Sequence, residues 1–339
     1  APLFDAAGDA ITATTLLSDV RKSVGGTPQF VTGETISFTP RKGGADYEAI
    51  EFAITASSTA GDLAQFLGDS FGLDSSASVA GDPFGPAGVN ITTDGRIEVV
   101  GNAGTSQSVE ITPARFRQSQ TGAGLSSLRS VDLDFESTRE GIGESSVVTF
   151  PVFDSLGERL LVRMHTVLES KSADATTYRY YFESSQDSDS NTSLATGTFT
   201  LDETGKISGD SSVSLTIDRD NTAAKTMSLE VDISRITGLI DSGGSGSLSL
   251  TSQDGAPAGS LTSFNINDSG IVVGAFTNGV IRSLGQIVLA RFQNPLGLID
   301  NGGGTLSEGV SSGNGQITTP GQTGTGSIRA GSIELSNTD

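Results

Sequence analysis

The pattern that most constrains this chain is a long series of short runs in which apolar and polar residues alternate. Between residues 128 and 236, turns separate these runs at spacings of roughly ten to fifteen residues. The run from Val213 to Ile217 is an example, and Asp202 to Gly205 is one of the turns. Because successive side chains of a strand point to opposite faces, this pattern predicts an antiparallel β-sandwich or barrel.

One stretch has a helical period instead. Ser58 or Thr59 can cap its N-terminus, and Asp62 lies in the first turn, where the helix dipole favours a negative charge. Four apolar residues then share one face at i, i+3, i+4 and i+8: Leu63, Phe66, Leu67 and Phe71. Gly72 is suited to end the helix. We expect this face to pack against a core and not to form a binding groove.

Two hairpins surround this helix in the sequence. Glu34 to Thr39 alternates and is predicted to pair with Glu48 to Ala56 across a loop. Val89 to Ile91 is predicted to pair with Ile97 to Val99 across Asp94-Gly95, a strong turn signal. Hairpins and helix together predict a small α+β domain.

Stretches of small and polar residues indicate where domains meet. We interpret residues 118–127 and 238–259 as linkers that let domains reorient. The predicted fold is mainly β and multi-domain, with antiparallel β-sandwich or barrel-like domains and one small α+β domain that carries a single clear helix. The predicted domains are 1–125 (α+β), 126–240 (antiparallel β) and 241–339 (β).

The composition excludes several classes of partner. There are 40 acidic and 20 basic residues, and a surface with a net charge of −20 repels a nucleic-acid backbone. The chain has no cysteine, which excludes disulfides and thiolate chemistry. No apolar run approaches the ~18 residues of a membrane-spanning helix. We therefore expect no nucleic-acid partner and no membrane partner.

The sequence does not predict an enzyme. His165 is the single histidine, and its place in an alternating run favours a strand face over a catalytic role. Gly309 to Gly313 matches G-x-S-x-G, but it lies in a glycine- and serine-rich coil with the histidine upstream, so we reject a nucleophile elbow. Carboxylates are numerous enough for a glycosidase-like acid pair, but the absence of tryptophan argues against a sugar-binding cleft.

The acidic loop at Asp187 has the beginning of a calcium-loop pattern. Asp187, Asp189 and Asn191 have the right spacing, but Thr192 and Thr198 stand where an EF-hand needs glycine and glutamate. We interpret it as a solvated loop, with adventitious calcium binding as the lesser alternative. One histidine and no cysteine also argue against zinc or iron. We predict no catalytic, cofactor-binding or metal-binding residues, and no cofactor.

The stretch from Gly259 to Asp339 begins with a predicted hairpin. Apolar residues stand on both sides of the turn Asn267 to Gly270: Leu261, Phe264 and Ile266 before it, and Ile271, Val273 and Phe276 after it. Ile287 to Phe292 is a short apolar run, which predicts a buried strand. Asn294-Pro295 ends this strand, because proline has no N–H to donate.

Four segments of this stretch occur in a characteristic order: Asp268 to Gly279, Leu284 to Asn294, Gly297-Leu298 and Gly331 to Asp339. They are similar to segments of the bacterial flagellar hook proteins: (D/N)-x-G-x-V-x-G-x-(Y/F)-(T/S)-N-G, L-G-Q-I-x-L-A-x-F-x-N, a Gly-Leu pair and G-x-(L/I)-E-x-S-N-V-D. Thr338 departs from the family's valine. Val152 to Gly157 also resembles, more weakly, the opening of the family's outer β domain.

The resemblance implies a structural subunit of the flagellar hook, a curved flexible tube that acts as a universal joint and transmits motor torque to the filament. It implies self-association into a helical polymer, contacts with the rod, the hook cap and the hook–filament junction proteins, and export to the cell exterior by the flagellar type III apparatus. It makes residues 1–125 a variable outer domain, 126–240 an outer β domain and 241–339 the C-terminal part of the common hook body.

The resemblance also implies terminal helices that form the inner wall of the tube. No long heptad run occurs in these 339 residues. We therefore expect the chain to be a central fragment without the terminal helical regions, and to be monomeric.

A second class of protein is compatible with the composition. A bacterial surface adhesin or an S-layer-like binding module would also be acidic, rich in strands and free of cysteine. This alternative does not account for the ordered segments after Gly259. Helices beyond both ends of the stretch would favour the hook, whereas a secretion signal or a sortase-type anchor would favour the adhesin.

Overall fold

The computed structural model describes residues 1–76, 85–119, 128–131, 133–137, 141, 143–172, 174–189, 191–219, 226–238, 247–322 and 324–332. These residues form mainly antiparallel strands and one α-helix, so the predicted mainly-β class is confirmed. Short 3₁₀ turns lie at Leu17–Asp19, Thr105–Gln107, Pro113–Arg115 and Pro295–Gly297. None of the helices in these residues has the length and hydropathy of a membrane-spanning segment.

The chain divides into two compact units. Unit 1 comprises residues 1–155 and 159–254, and unit 2 comprises residues 156–158 and 255–339. The predicted three-part division remains a prediction, because residues 120–127 and 239–246, where its boundaries fall, lie outside the described residues.

The first half of unit 1 contains these strands: β1 Thr35–Phe38, β2 Arg41–Lys42, β3 Ala45–Asp46, β4 Ile50–Ala53, β5 Gly88–Ile91, β6 Ile97–Val100, β7 Val109–Glu110, β8 Phe116–Ser119 and β9 Leu128–Ser130. One sheet has the order β4-β1-β8-β9, a smaller one has the order β3-β2-β7, and β5 and β6 form a hairpin. Both predicted hairpins are confirmed as the pairs β1–β4 and β5–β6. The loop predicted between β1 and β4 instead contains β2 and β3.

The predicted helix is confirmed as α1, Ala60–Ser70. Thr59 is its N-cap and forms a capping box with Asp62. Leu63, Leu67 and Phe71 have no exposure, and burial of each side chain contributes about 1.5–3 kcal/mol. The helix ends at Ser70. Gly72 follows two residues later with a φ of 55°, in the left-handed region that glycine adopts without strain.

The first hydrophobic core lies between α1 and the sheet β4-β1-β8-β9. Phe38 is at its centre, with ring centroids 5.4 Å from Phe71 and 4.8 Å from Phe116. Val131 and Leu133 also belong to this core. The sequence had placed these two residues in the strand-rich region that begins at residue 128, but the described strand there ends at Ser130.

The second half of unit 1 has longer strands: β10 Ser145–Phe153, β11 Arg159–Lys171, β12 Ala175–Ser184, β13 Ser193–Asp202, β14 Ile207–Ser208, β15 Ser212–Asp218 and β16 Thr226–Asp232. The first five form an antiparallel sheet in chain order, and β15 pairs with β16. Apolar residues from the sheet and the hairpin form a second core, which includes Val162, Phe182, Leu215 and Ile217. The predicted antiparallel β region is confirmed, as two layers around one core.

Unit 2 consists of small sheets. Its strands are β17 Leu261–Ile266, β18 Ile271–Phe276, β19 Ile281–Gln286, β20 Leu289–Arg291, β21 Ile299–Asp300, β22 Leu306–Ser307 and β23 Gln316–Thr318. The order is β17-β18-β19 in one sheet, with the pairs β20–β23 and β21–β22. The predicted hairpin β17–β18 and its turn are confirmed, and Asn267 Oδ1 accepts hydrogen bonds from the N–H groups of Ser269 and Ile271 at 3.1 and 2.9 Å.

The prediction of a buried strand from Ile287 to Phe292 was wrong. Only Leu289–Arg291 is a strand, and Ile287 and Val288 are 38% and 53% exposed. The apolar run has strand length, but the described residues of unit 2 form no second layer that covers it. Residues 327–332, the last ones that the structure describes, form no strand.

Candidate functional site

Charged side chains meet in the interior of unit 1, between its two hydrophobic cores. Lys42 on β2 and Glu183 on β12 form an ion pair with 2.5 Å between Nζ and Oε1, and their side chains are 1% and 0% exposed. Lys42 Nζ also donates a hydrogen bond of 2.7 Å to the carbonyl oxygen of Phe71, a residue of the first core. The Tyr47 hydroxyl donates to Glu183 Oε2. Glu183 therefore accepts hydrogen bonds from two side chains of the first half of the unit.

The charge of Glu183 is compensated where it is buried. Burial would raise the pKa of Glu183, but the charge and hydrogen bond of Lys42 and the hydrogen bond of Tyr47 hold it below its ordinary value. Burial, together with the negative charge of Glu183, raises the pKa of Tyr47 well above its ordinary value. Glu183 is therefore a carboxylate and Tyr47 a neutral donor at neutral pH.

His165 also belongs to this cluster. It lies on β11, as the alternating run predicts, with no exposure, and its Nε2 is 3.5 Å from Glu183 Oε2. Burial lowers the pKa of His165 to about 4, although the charge of Glu183 opposes this shift. The imidazole is therefore neutral at pH 7. Because neither His165 nor Glu183 reaches the surface, the pair has no contact with a dissolved substrate.

The other candidates from the sequence lie elsewhere. Ser311 of the G-x-S-x-G match is exposed in a turn of unit 2, and the neighbouring Ser312 hydroxyl donates to backbone carbonyls. Asp187 accepts a hydrogen bond of 2.8 Å from the N–H of Asp218, so it fixes backbone beside the second core. In the part of the chain that the structure describes, no group of three His, Asp or Glu side chains could hold a metal ion.

Unit 2 exposes apolar side chains on its three-stranded sheet. Leu261 on β17 and Leu284 on β19 approach each other over Gly274 on β18, where an added Cβ would lie 2.7 and 2.8 Å from their Cδ1 atoms. Phe264 pairs with Gly274 in the sheet register and is 65% exposed. We name Leu261, Phe264 and Leu284 the apolar sheet face. Exposed apolar groups clustered in this way are typical of surfaces that contact another protein.

No local sequence pattern predicts the buried cluster. Lys42 fell in a predicted loop, and Glu183 lies 141 residues away from it, so no local motif contains both. The one available signal was the place of Glu183 directly after the apolar Phe182, near the end of a strand of the second core.

Comparisons with known proteins find several relatives that carry the same name, flagellar hook protein FlgE. The flagellar hook protein FlgE of Salmonella typhimurium is 31% identical over 192 residues, which is 56% of this chain and 46% of that protein. FlgE of Escherichia coli is 41% identical over 96 residues, which is 28% of this chain and 24% of that protein. FlgE of Borreliella burgdorferi is 40% identical over 87 residues, which is 26% of this chain and 20% of that protein. The chain thus spans between about a fifth and a half of the length of these relatives.

Two further comparisons complete these findings. No family model matches the chain. The crystal structure of Helicobacter pylori flagellar hook protein FlgE2 aligns with 91% of this chain and 67% of that one, with 18% sequence identity and a TM-score of 0.32.

Proposed function

We propose that this chain, which is a relative of the bacterial flagellar hook proteins, is part of a structural subunit that polymerises into the curved, flexible hook. The observation that carries the proposal is the identity of 40–41% with hook proteins over 87–96 residues. The ordered segments between Asp268 and Asp339 agree with it, because they occur in the order of the hook motifs. The adhesin or S-layer alternative has no support among these relatives.

The distribution of apolar side chains supports a subunit with one surface for assembly. In unit 1 most of the large apolar residues form two buried cores, whereas unit 2 exposes many of its large apolar side chains, among them the apolar sheet face. We propose that this face contacts a neighbouring subunit in the polymer. A copy that meets its neighbours through different patches forms a heterologous contact, which extends into a helical array instead of closing into a ring.

A polar exterior suits a tube that bends. Subunit spacings must lengthen and shorten during each rotation, so contacts between outer domains need to be small, polar and able to slide. The net charge of −20 and the burial of apolar groups in unit 1 are compatible with this requirement. A hinge within residues 238–259 stays part of the proposal. A hinge within 118–127 does not, because β8 and β9 pair on either side of that segment.

The remaining parts of the proposal follow from assembly in the hook. The partners are other copies of the subunit, the rod, the hook cap and the hook–filament junction proteins. The subunit is located in the extracellular flagellum, and the flagellar type III apparatus exports it. The subunit has no catalytic role. The side chains in its buried cluster hold the fold together and do not face a substrate.

Deletion of the gene that encodes this chain tests the proposal. We expect cells without the gene to be non-motile, and electron microscopy of their flagella to find basal bodies without hooks. The intact gene supplied on a plasmid should restore both hooks and swimming. Normal hooks in the deletion strain would contradict the proposal, and loss of surface adhesion with normal swimming would favour the adhesin.

A further inference from the structure

We infer that Lys42, Tyr47 and Glu183 form a clamp that fixes the orientation of the two hydrophobic cores of unit 1 relative to each other. Lys42 and Tyr47 belong to the half of the unit built on the first core, and Glu183 belongs to the sheet that covers the second core. This inference concerns unit 1 alone and does not depend on the proposed role in the hook.

The geometry of the clamp is directional. Each oxygen of the Glu183 carboxylate accepts a hydrogen bond from a different residue, Oε1 from Lys42 and Oε2 from Tyr47. Lys42 is held in turn by the Phe71 carbonyl at the end of α1. Hydrogen bonds of this kind tolerate little displacement, because they weaken steeply with distance and angle. Apolar contacts, by comparison, have no preferred direction.

Further polar contacts join the same two halves. Asp74 accepts a hydrogen bond of 3.2 Å from Arg179 on β12 and one of 3.1 Å from Thr196 on β13. The Thr192 hydroxyl donates to the carbonyl oxygen of Ser70 at 3.2 Å. The boundary between the cores thus contains polar groups in defined positions, and the clamp is its most deeply buried part.

Burial makes the clamp sensitive to loss of either partner. A buried charge that loses its partner is strongly destabilising, whereas removal of both charges can be nearly neutral. Lys42→Met alone should therefore destabilise unit 1. The double variant Lys42→Met/Glu183→Gln removes both charges. Each core should stay folded in this variant, but the orientation of one core relative to the other should no longer be fixed.

Distance measurement between spin labels tests the clamp in the full chain. The chain has no native cysteine, so Thr93→Cys and Glu203→Cys introduce the only two labelling sites. Both positions are exposed, Thr93 in the turn between β5 and β6 and Glu203 in the turn between β13 and β14. We expect one narrow distance in the labelled parent protein, and a broadened or shifted distribution in Lys42→Met/Glu183→Gln.

Arg219→Met is the matched control. Arg219 and Asp154 form another buried ion pair, 2.8 Å long and 7% and 1% exposed, but both lie in the second half of unit 1. We expect this variant to lose stability without broadening the distance. If the double variant does not fold, Tyr47→Phe removes one hydrogen bond of the clamp without leaving a gap. An unchanged narrow distance in a folded clamp variant, or equal broadening in Arg219→Met, would overturn the inference.

Discussion

The Nε2 atom of His165 lies 3.5 Å from Oε2 of Glu183, and neither side chain has any exposed surface. The Glu183 carboxylate favours a charged imidazole, but burial, together with the positive charges of Lys42 and Arg163, prevails and lowers the pKa of His165 to about 4. The interior of unit 1 therefore holds a neutral histidine beside a carboxylate whose charge Lys42 compensates. The stability of the fold should depend on pH for this reason.

Acidification should destabilise unit 1 through His165. Between about pH 6.5 and 4 the unfolded chain binds a proton at this residue and the folded chain does not, so stability is full above the unfolded pKa and falls as the pH falls. The loss amounts to at most about 3 kcal/mol at pH 4. Urea unfolding at pH 7.5 and at pH 4.5 measures it. His165→Gln keeps all surface charges and should show a smaller loss; an equal loss in both proteins would exclude His165 as the cause.

Asp187 should make the stability of unit 1 depend on pH in the opposite direction. Burial raises its pKa to about 6, so the folded state prefers the protonated acid, and stability is lost as the pH rises from about 4 through 6. Asp187→Asn keeps an oxygen that can accept the Asp218 N–H and should be more stable than the parent by about 1–2 kcal/mol at pH 7.5, with no gain at pH 3.5. Thermal unfolding at both pH values measures the difference.

A control for this variant is Asp202→Asn. Hydrogen bonds from Thr204 and Lys206 lower the pKa of Asp202, so its loss should destabilise the turn after β13 at neutral pH. If both variants are stabilised equally, the cause is the reduced net charge and not the burial of Asp187.

The capping box should contribute measurably to α1. Thr59 Oγ1 accepts a hydrogen bond of 3.2 Å from the Asp62 N–H, and Asp62 Oδ2 accepts one of 2.9 Å from the Thr59 N–H. Thr59→Ala removes the first of these bonds and should cost about 1 kcal/mol in the free energy of unfolding. Gln65→Ala, at an exposed position of the same helix, is the control and should change stability little. Equal effects of the two variants would refute a specific role of the cap.

Gly43 and Gly44 should differ sharply in their tolerance of a side chain. Both have positive φ, 55° and 77°, so alanine is strained at either position. At Gly43 a Cβ would also lie 2.1 Å from the carbonyl oxygen of Ser106, whereas at Gly44 no atom lies within 4 Å. We expect Gly44→Ala to cost about 1 kcal/mol and Gly43→Ala to cost several times more or to prevent folding. Chemical denaturation compares them, and similar losses would show that the strain dominates.

The apolar sheet face should be required for assembly and not for folding. Phe264 is 65% exposed, so Phe264→Ser removes little buried area and should leave the melting temperature of the chain nearly unchanged. In the parent gene the same substitution should reduce hook formation, counted by electron microscopy. Val24→Ser, at an equally exposed position of unit 1, is the matched control and should form normal hooks. Normal hooks in both strains would remove this face from the proposed contact.

Local features were predictable from the sequence because their causes lie within a few residues. The helix Ala60–Ser70 needs only its cap, its apolar stripe and the glycine that follows, and the hairpin of β17 and β18 needs only alternation around Asn267 to Gly270. The resemblance to hook proteins was also recognisable, because the segments that carry it are continuous in the chain.

Burial and long-range pairing were decided only by the tertiary structure. Ile287 and Val288 look like core residues, but exposure depends on which other elements cover a strand, and the strand itself does not encode that. Lys42 and Glu183 are separated by 141 residues and become partners only when β2 meets β12. The sequence by itself determined the helix, the hairpins and the family resemblance; the packing of two cores determined which charges are buried together, since a charge can stay buried only where a distant partner compensates it.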